Sequence, residues 1–275
     1  YTDSGVLKSA KRFGIKTVGM PKSWDNLSKI LFNFKADYLI VWNQFMKEQA
    51  VRLQGYKEED IVVTGVPQFD FYHKKDYLLD REDFCKCLGL DPRKKIILYG
   101  STGGGKYLAN EADYVELIQK FIMQGKIEGV QVLIRPHLGY IDDVEKFRHL
   151  ESHRDFFVDR SDKQNLKFKD YWDPSLQHVV HLYNSLHHAA VCINIASTLT
   201  LDAVSCGTPV INIDFDIEKC EFDDSIRRFY TTDYISALME TKGSWHVKSV
   251  DEYLYVLQAV LLQKNENMVD THRIV

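Results

Sequence analysis

Short apolar runs alternate with amphipathic helical stretches in the first part of the chain. A helix is predicted over residues 4–13, and strands are predicted at 15–20, 37–42 and 61–64. Between the last two strands, residues 44–54 carry apolar positions at helical spacing. Since strands that alternate with helices usually form a parallel sheet with helices on its faces, this pattern predicts an α/β fold.

The second part of the chain repeats this alternation over a longer stretch. Its predicted strands are residues 95–100, 130–134, 156–158, 191–196 and 210–213, and its predicted helices are 113–124, 142–150, 176–189 and 251–263. A strongly charged stretch with a predicted helix at 81–88 separates the two parts. We therefore divide the chain into an α/β unit over 1–75, a linker over 76–94 and a second α/β unit over 95–275.

Residues 191–213 predict the clearest local structure in the chain. An apolar run is followed by Ser197 and Thr198, by apolar positions at helical spacing, by Gly207-Thr208-Pro209 and by a second apolar run. This order predicts strand, tight turn, short helix and strand. Because a helix N-terminus presents unpaired N–H groups, the two hydroxyls and the helix start could bind a phosphate. The alternative is an ordinary N-cap.

Three polar clusters follow predicted strands of the second unit. They are Ser101-Thr102-Gly103-Gly104-Gly105, Arg135-Pro136-His137 and Ser197-Thr198. Ligands of open parallel sheets bind beyond the carboxyl ends of the strands, so the clusters are expected around one crevice. A guanidinium, an imidazole, hydroxyls and backbone N–H groups together suit a phosphate or diphosphate. Taken singly, each cluster has an ordinary interpretation as a flexible turn, a surface arginine or a structural histidine.

Three further groups are candidates with equally simple alternatives. Asp25 could act as a general base, or could lie in a turn beside a packed Trp24. Asp216, with the neighbouring acidic residues, could accept hydrogen bonds from ribose or substrate hydroxyls, or could belong to a solvated turn. The histidines of the helix at 176–189 are interpreted as helix-face residues, and no metal site is expected.

Composition narrows the class of protein. The chain has 275 residues, of which 45% are hydrophobic and 27% charged, and a net charge of −4 argues against a nucleic-acid partner. Five scattered cysteines form neither a disulfide nor a metal framework, which favours a reducing cytosol. No apolar run reaches the roughly 18 residues of a membrane span. Because the chain begins at Tyr1, we expect further residues upstream.

The motifs in combination resemble the GT-B glycosyltransferase superfamily, and within it the bacterial surface-polysaccharide enzymes related to CDP-glycerol glycerophosphotransferases. The resemblance covers residues 15–260. The motifs that carry it are Ser23-Trp-Asp-Asn-Leu27, Val41-Trp-Asn-x-x-Met-x-x-Glu48, Val63-Thr-Gly-Val-Pro-Gln-Phe-Asp70, Arg135-Pro-His137, Asn194-x-x-Ser-Thr-x-Thr-x-Asp-Ala203 and Gly207-Thr-Pro-Val-Ile211.

The resemblance implies two Rossmann-like domains, an N-terminal acceptor domain that is incomplete here and a C-terminal donor domain. It implies a catalytic role for His137 at the donor phosphate and a base from the N-terminal domain, for which Asp25 is the candidate. The residues expected to bind the donor are Ser101, Thr102, Gly103, Gly104, Arg135, His137, Ser197, Thr198, Thr200, Asp202 and Asp216. It further implies that no metal or cofactor is needed, because basic groups neutralise the leaving diphosphate.

The expected function is therefore that of a glycosyltransferase-type enzyme. It would transfer a sugar or polyol phosphate from a CDP-, CMP- or UDP-type donor to a glycan or lipid-linked acceptor at the cell surface. We expect it in the cytoplasm, at the inner face of the membrane. Two alternatives stay open: a sugar-nucleotide epimerase of the UDP-N-acetylglucosamine 2-epimerase type, and a non-catalytic domain that binds a nucleotide sugar.

Overall fold

The chain forms two units, Tyr1–Phe71 and Tyr72–Val275. The computed structural model describes residues 3–103, 108, 110–137, 143–160 and 175–262. The predicted linker at 76–94 lies inside the second unit, because its helix buries Phe84 and Cys85 in the core. Within the described residues, no helix is long and apolar enough to cross a membrane.

The first unit is built on a three-stranded parallel sheet with the strands in chain order. The strands are β1 (Val18–Gly19), β2 (Tyr38–Val41) and β3 (Ile61–Val63), and the helices are α1 (Asp3–Arg12), α2 (Asn26–Lys29) and α3 (Gln44–Gln54). Strand β1 is shorter than predicted, and α2 was not predicted. Both differences arise where the apolar pattern covers only a few residues.

Helix α3 begins and ends where its sequence provides caps. The Asn43 side chain accepts a hydrogen bond from the backbone N–H of Met46 at 2.9 Å, which satisfies one of the free donors of the first turn. Gly55 ends the helix at a φ of 64°, a left-handed conformation that favours glycine. Met46 and Ala50 are fully buried and fix the face that the helix presents to its unit.

The second unit is built on a six-stranded parallel sheet of order β6-β5-β4-β7-β8-β9. The strands are β4 (Lys95–Gly100), β5 (Val130–Arg135), β6 (Phe156–Val158), β7 (Ala189–Asn194), β8 (Val210–Ile213) and β9 (Trp245–Val247). The helices are α4 (Arg81–Leu88), α5 (Glu111–Met123), α6 (Asp143–Phe147), α7 (Leu176–His188), α8 (Leu199–Ser205), α9 (Asp233–Glu240) and α10 (Val250–Leu261).

The strand order reverses at β4, which pairs with β5 on one side and with β7 on the other. Gly100, the last residue of β4, is in register with Arg135 of β5 and with Asn194 of β7. The carboxyl ends of three neighbouring strands therefore lie side by side at the point where ligands bind in open α/β sheets.

Helix α9 and strand β9 were not predicted. Strand β9 has three residues, Trp245-His246-Val247, and among the described strands it pairs with β8 alone, at the edge of the sheet. So short a segment with a histidine at its centre gives no apolar run to recognise. The other predicted elements of this unit that lie in the described residues are found within a few residues of their expected bounds.

Gln49 of α3 supplies a stability prediction, because this side chain is 1% exposed and neither of its amide atoms has a hydrogen-bond partner among the described residues. A buried amide without partners costs roughly 1–3 kcal/mol. We expect Gln49→Met, which keeps the length of the side chain, to raise the free energy of unfolding by about 1 kcal/mol. Urea unfolding of the whole chain measures this change.

Gln54 on the same helix provides the matched control. It is also buried, but its amide donates to the carbonyls of Leu27 and Ile30 at 2.7 and 2.8 Å and accepts from the N–H of Phe32 at 2.9 Å. Gln54→Met should therefore lower stability. A loss of stability in both variants would show that the Gln49 amide is satisfied.

Candidate functional site

A cavity of about 120 Å³ lies at the carboxyl ends of β4, β5 and β7. Six of the predicted site residues line it, namely Ser101, Arg135, His137, Ser197, Thr198 and Asp202. His178 of α7 also lines the cavity, although the sequence pattern placed it only on a helix face. We call this cavity the strand-end cleft.

The start of the glycine-rich loop is held by a buried glutamate. Glu111, the first residue of α5, is fully buried and accepts hydrogen bonds from the Ser101 hydroxyl at 2.8 Å and from the Thr102 N–H and hydroxyl at 2.7 and 3.0 Å. Burial raises the pKa of Glu111, whereas Lys146 and these donors oppose the rise. The Ser101 and Thr102 hydroxyls therefore donate to the protein interior.

The remaining residues of that loop contribute less to the described cleft. Neither Thr102 nor Gly103 lines the cavity. Gly103 adopts a φ of 71°, and its N–H donates to the Ser101 hydroxyl oxygen at 3.2 Å. Gly104 lies outside the described residues. Residue Gly100 has a steric role, because a Cβ there would lie 2.1 Å from the side chain of Leu199 at the start of α8.

Lys146 of α6 joins the loops that follow β4 and β5. Its ammonium group lies 3.1 Å from Glu111 and 2.7 Å from Asp143, and both carboxylates are fully buried. Asp143 in turn accepts a hydrogen bond from the backbone N–H of His137 at 2.7 Å. One cation thus fixes the Ser101–Thr102 backbone on one side of the cleft and the His137 backbone on the other.

Arg135 lies at the end of β5 and is 8% exposed. Its guanidinium forms an ion pair with Asp159 at 3.3 Å and lies 3.2 Å from the ring of His178. His181, one turn further along α7, contacts the same Asp159 carboxylate at 2.6 Å. Arg135 therefore contributes a fixed cation to the cleft wall whose charge is balanced inside the protein.

Hydrogen bonds to the Asn194 side chain and within the turn fix the backbone around Ser197 and Thr198. The backbone N–H of Ser197 donates to the Asn194 side chain at 3.2 Å, and the Ser197 hydroxyl accepts from the N–H of Leu199 at 3.2 Å. The Thr198 side chain makes no cap hydrogen bond. Helix α8 has only seven residues, so the side chains rather than a long helix dipole define this wall.

Two further predicted ligands of the second unit do not line the cleft. Thr200 is fully buried and its hydroxyl bonds to Asn194 and Asn212. Asp216 accepts hydrogen bonds from the Ser225 hydroxyl at 2.6 Å and the Ile226 N–H at 2.9 Å, at the start of a 3-10 helix. Both side chains therefore have structural partners.

Asp202, by contrast, lines the cleft and accepts a hydrogen bond from the Tyr72 hydroxyl at 2.7 Å. Burial raises the pKa of Asp202 to about 6, while the Tyr72 hydroxyl and Arg135 act in the opposite direction. The pKa of this carboxyl group therefore lies about two pH units above that of an ordinary aspartate.

Asp25 lies in the first unit, immediately before α2. Its carboxylate forms an ion pair with Lys29, one turn along the chain, and accepts a hydrogen bond from the Asn26 amide at 3.2 Å. Its role as a base stays a prediction. Among the described residues, no group of three histidine, cysteine or acidic side chains is arranged to hold a metal ion.

The sequence analysis did not identify several residues that shape the cleft. Glu111 and Lys146 were not singled out, because charged side chains are rarely buried unless they are paired. Asp159 directly follows β6, so the rule that directed attention to the other strand ends would have found it. His178 carried no signal beyond its position near the start of a helix.

A sequence profile of the family described as CDP-Glycerol:Poly(glycerophosphate) glycerophosphotransferase matches residues 4–169. No curated protein sequence matches the chain significantly. The profile covers the first unit and the part of the second unit that contains β4, β5 and the loops that follow them.

Solved structures with a similar fold include proteins of two kinds. A Listeria monocytogenes protein described as a UDP-N-acetylglucosamine 2-epimerase matches with a TM-score of 0.62 and 13% identity over 97% of this chain and 63% of its own. The UDP-GlcNAc 2-epimerase from Neisseria meningitidis, bound to UDP-GlcNAc, gives a TM-score of 0.60 and 11% identity over 94% and 65%. The wall teichoic acid polymerase TagF gives 0.53 and 17% over 95% and 57%.

At such low sequence identity, the structural similarity supports a statement about the fold alone. It confirms the predicted α/β architecture of GT-B type. The chain spans less than two thirds of the length of each of these solved chains, with shares of 63%, 65% and 57%.

The Lys146 ammonium group between the Glu111 and Asp143 carboxylates supports a stability prediction. Lys146→Met would leave two buried carboxylates without their partner, which costs roughly 3–5 kcal/mol. Urea unfolding measures the loss. Lys94→Met is the matched control: the Lys94–Asp155 pair is more exposed, with side chains 26% and 13% accessible, and should contribute about 1 kcal/mol or less. Equal losses in the two variants would contradict a special role for Lys146.

The pKa of Asp202 predicts how stability depends on pH. The usual value is 3.8 and the folded value is about 6, so between these values the folded chain holds a proton that the unfolded chain releases. The contribution of Asp202 to wild-type stability should therefore fall as the pH rises through this window. Asp202→Asn keeps an acceptor for Tyr72 and removes the titration.

We expect Asp202→Asn to be more stable than the wild type at pH 7, by up to about 3 kcal/mol, and to lose this advantage near pH 4. Thermal unfolding between pH 4 and pH 7.5 measures the difference. An advantage that is constant over this range would show that Asp202 titrates normally.

Proposed function

The chain belongs to the CDP-glycerol:poly(glycerophosphate) glycerophosphotransferase family, and from this premise we propose that it acts in the transfer of a polyol phosphate or sugar from a nucleotide-activated donor. The proposed donor site is the strand-end cleft of the second unit. The activity is proposed for the whole protein to which this chain contributes.

The observation that carries this proposal is the composition of the cleft wall. Arg135, His137 and His178 bring a guanidinium and two imidazoles to the cavity, and Ser197 and Thr198 bring two hydroxyls. Charge-assisted hydrogen bonds to a phosphate contribute roughly 1.5–3 kcal/mol each. Micromolar binding requires about 8 kcal/mol, so several of these contacts must act together on one diphosphate.

The proposed chemistry follows from the donor. An acceptor hydroxyl oxygen attacks the phosphorus that carries the polyol, the bond from that phosphorus to the oxygen of the nucleoside monophosphate breaks, and the nucleoside monophosphate leaves. The cleft groups stabilise the charge that collects on the leaving phosphate. The acceptor proton passes to a base, for which we keep His137 and Asp25 as candidates. The nucleotide is a substrate, and the proposal requires no cofactor.

Because the description of the family names CDP-glycerol, we favour a cytidine donor over a uridine donor. One solved TagF structure, of a variant soaked with CDPG, matches this chain at 18% identity with a TM-score of 0.53. We therefore place CDP and CMP before UDP as probes. The acceptor we propose is a glycan or lipid-linked chain of the cell surface, reached from the cytoplasmic face of the membrane.

Nucleotide binding tests the proposal directly. We expect CDP to raise the melting temperature of the chain, and His137→Ala to weaken CDP binding about tenfold or more, since one charge-assisted hydrogen bond is lost. Titration calorimetry measures the affinity. His149→Ala is the matched control, because His149 is exposed and pairs with Glu116 away from the cleft.

Each other outcome has a defined meaning. An absence of stabilisation by CDP, CMP and UDP would overturn the proposed donor site. Conversion of UDP-N-acetylglucosamine without an acceptor would favour the epimerase alternative. Binding without turnover of CDP-glycerol in the full-length protein, with acceptor present, would favour a non-catalytic domain.

A further inference from the structure

Three buried polar side chains form a ladder beneath the Ser197–Thr198 turn. Asn194 ends β7, Thr200 lies in the first turn of α8, and Asn212 lies in β8. Their side chains are at most 1% exposed. Buried polar groups at the ends of adjacent strands are costly unless they are hydrogen-bonded, and these bond to one another.

The Thr200 hydroxyl has two acceptors within hydrogen-bond distance, the Asn212 side-chain oxygen at 3.2 Å and the Asn194 side-chain oxygen at 3.3 Å. The Asn194 amide donates to the Thr200 hydroxyl oxygen at 3.1 Å, the Thr200 hydroxyl donates to the Asn212 carbonyl at 3.2 Å, and the Asn212 amide donates to the Ser244 hydroxyl at 3.1 Å. Thr200 has a single hydroxyl hydrogen, and when it donates this hydrogen to Asn212, the nearer of the two acceptors, the Asn194 side-chain oxygen accepts from another donor.

That other donor is the backbone N–H of Ser197 at 3.2 Å. Thr200 therefore determines the orientation of the Asn194 side-chain amide. In this orientation the amide oxygen faces the backbone N–H of Ser197 in the cleft turn. If the Thr200 hydroxyl were absent, the Asn194 amide could rotate and present its NH₂ group to Ser197, which would repel the N–H.

The turn needs this support because its backbone is strained. Ala196 has a φ of 45°, which is uncommon for a residue with a Cβ and costs on the order of 1–3 kcal/mol. Its N–H donates to the Tyr230 hydroxyl oxygen at 3.1 Å, and that hydroxyl donates to the Ile213 carbonyl at 2.6 Å. Tyr230 and the ladder therefore hold the strained turn from both sides.

We propose that Thr200, through Asn194 and Asn212, is a positioning residue that holds Ser197 and Thr198 in place for the phosphates of the donor. Thr200 acts through the Ser197 backbone and makes no contact with the donor itself. This inference rests on the proposed function and assigns Thr200 a role other than the direct contact expected from its sequence motif.

The test compares Thr200→Val, which removes the hydroxyl, with Thr200→Ser, which keeps it. The probes are CDP, inorganic pyrophosphate and cytidine, with cytidine binding followed by ligand-observed NMR because it is the weakest. We expect Thr200→Val to weaken CDP and pyrophosphate about tenfold, the loss of one well-placed hydrogen bond, and to leave cytidine unchanged. Thr200→Ser should bind all three probes as the wild type does.

Ser244→Ala provides a second variant in case Thr200→Val fails to fold. It removes the acceptor of the Asn212 amide at the end of the ladder that is distant from the cleft. We expect a smaller loss of affinity in the same direction, again confined to the two phosphate-bearing probes.

Two results would overturn the inference while the proposed donor site stands. The first is that Thr200→Val and Ser244→Ala both bind CDP and pyrophosphate as tightly as the wild type does. The other is an equal loss for cytidine, which would mean that the ladder supports the fold without selecting for phosphate. If the wild-type chain binds none of the probes, the donor site itself is wrong and this inference falls with it.

Discussion

The contact between Lys146 and two buried carboxylates is the constraint on which the strand-end cleft depends. An ammonium group at this depth is stable only with anionic partners, and each carboxylate also holds a backbone segment. Glu111 fixes the segment after β4, and Asp143 fixes the segment after β5. Because a single charge serves both, the two walls of the cleft are held at a set separation.

The other walls follow the same principle with different chemistry. Arg135 and Asp159 form a buried ion pair beside α7, and the Asn194–Thr200–Asn212 ladder supports the turn before α8. The polar groups near the cleft therefore have two tasks, which Ser101, Arg135 and Asp202 combine because they bond to protein partners and also line the cavity. Those that bond inward determine where the backbone lies, and those that line the cavity determine what it can bind.

The sequence located the cleft but did not distinguish these two tasks. The rule that ligands bind beyond the carboxyl ends of parallel strands identified Ser101, Arg135, His137 and Ser197, and the structure brings them together. A pattern of residue types shows where a side chain lies along the sequence, but it does not show which group that side chain will hydrogen-bond to in the fold. For this reason the inward-facing Thr200 was grouped with the cavity residues.

Buried charged residues were the harder part to predict. Glu111 reads as an acidic residue in the first turn of an amphipathic helix, where an exposed position is the ordinary expectation. Its partner Lys146 is 35 positions away, and only the packing of α5 and α6 brings them into contact. Short edge elements such as β9 were missed for a related reason, since three residues carry too little periodicity.

The internal pairing of Arg135 has a consequence for how a nucleotide would arrive. A lone guanidinium attracts an anion over about a Debye length, which is roughly 8 Å at physiological salt, whereas a guanidinium paired with Asp159 acts mainly as a dipole whose field decays faster. On an acidic chain, this pair adds little to the long-range steering of a diphosphate. Its contribution would begin once the ligand is inside the cleft, so it would affect the dissociation rate more than the encounter rate and would depend little on ionic strength.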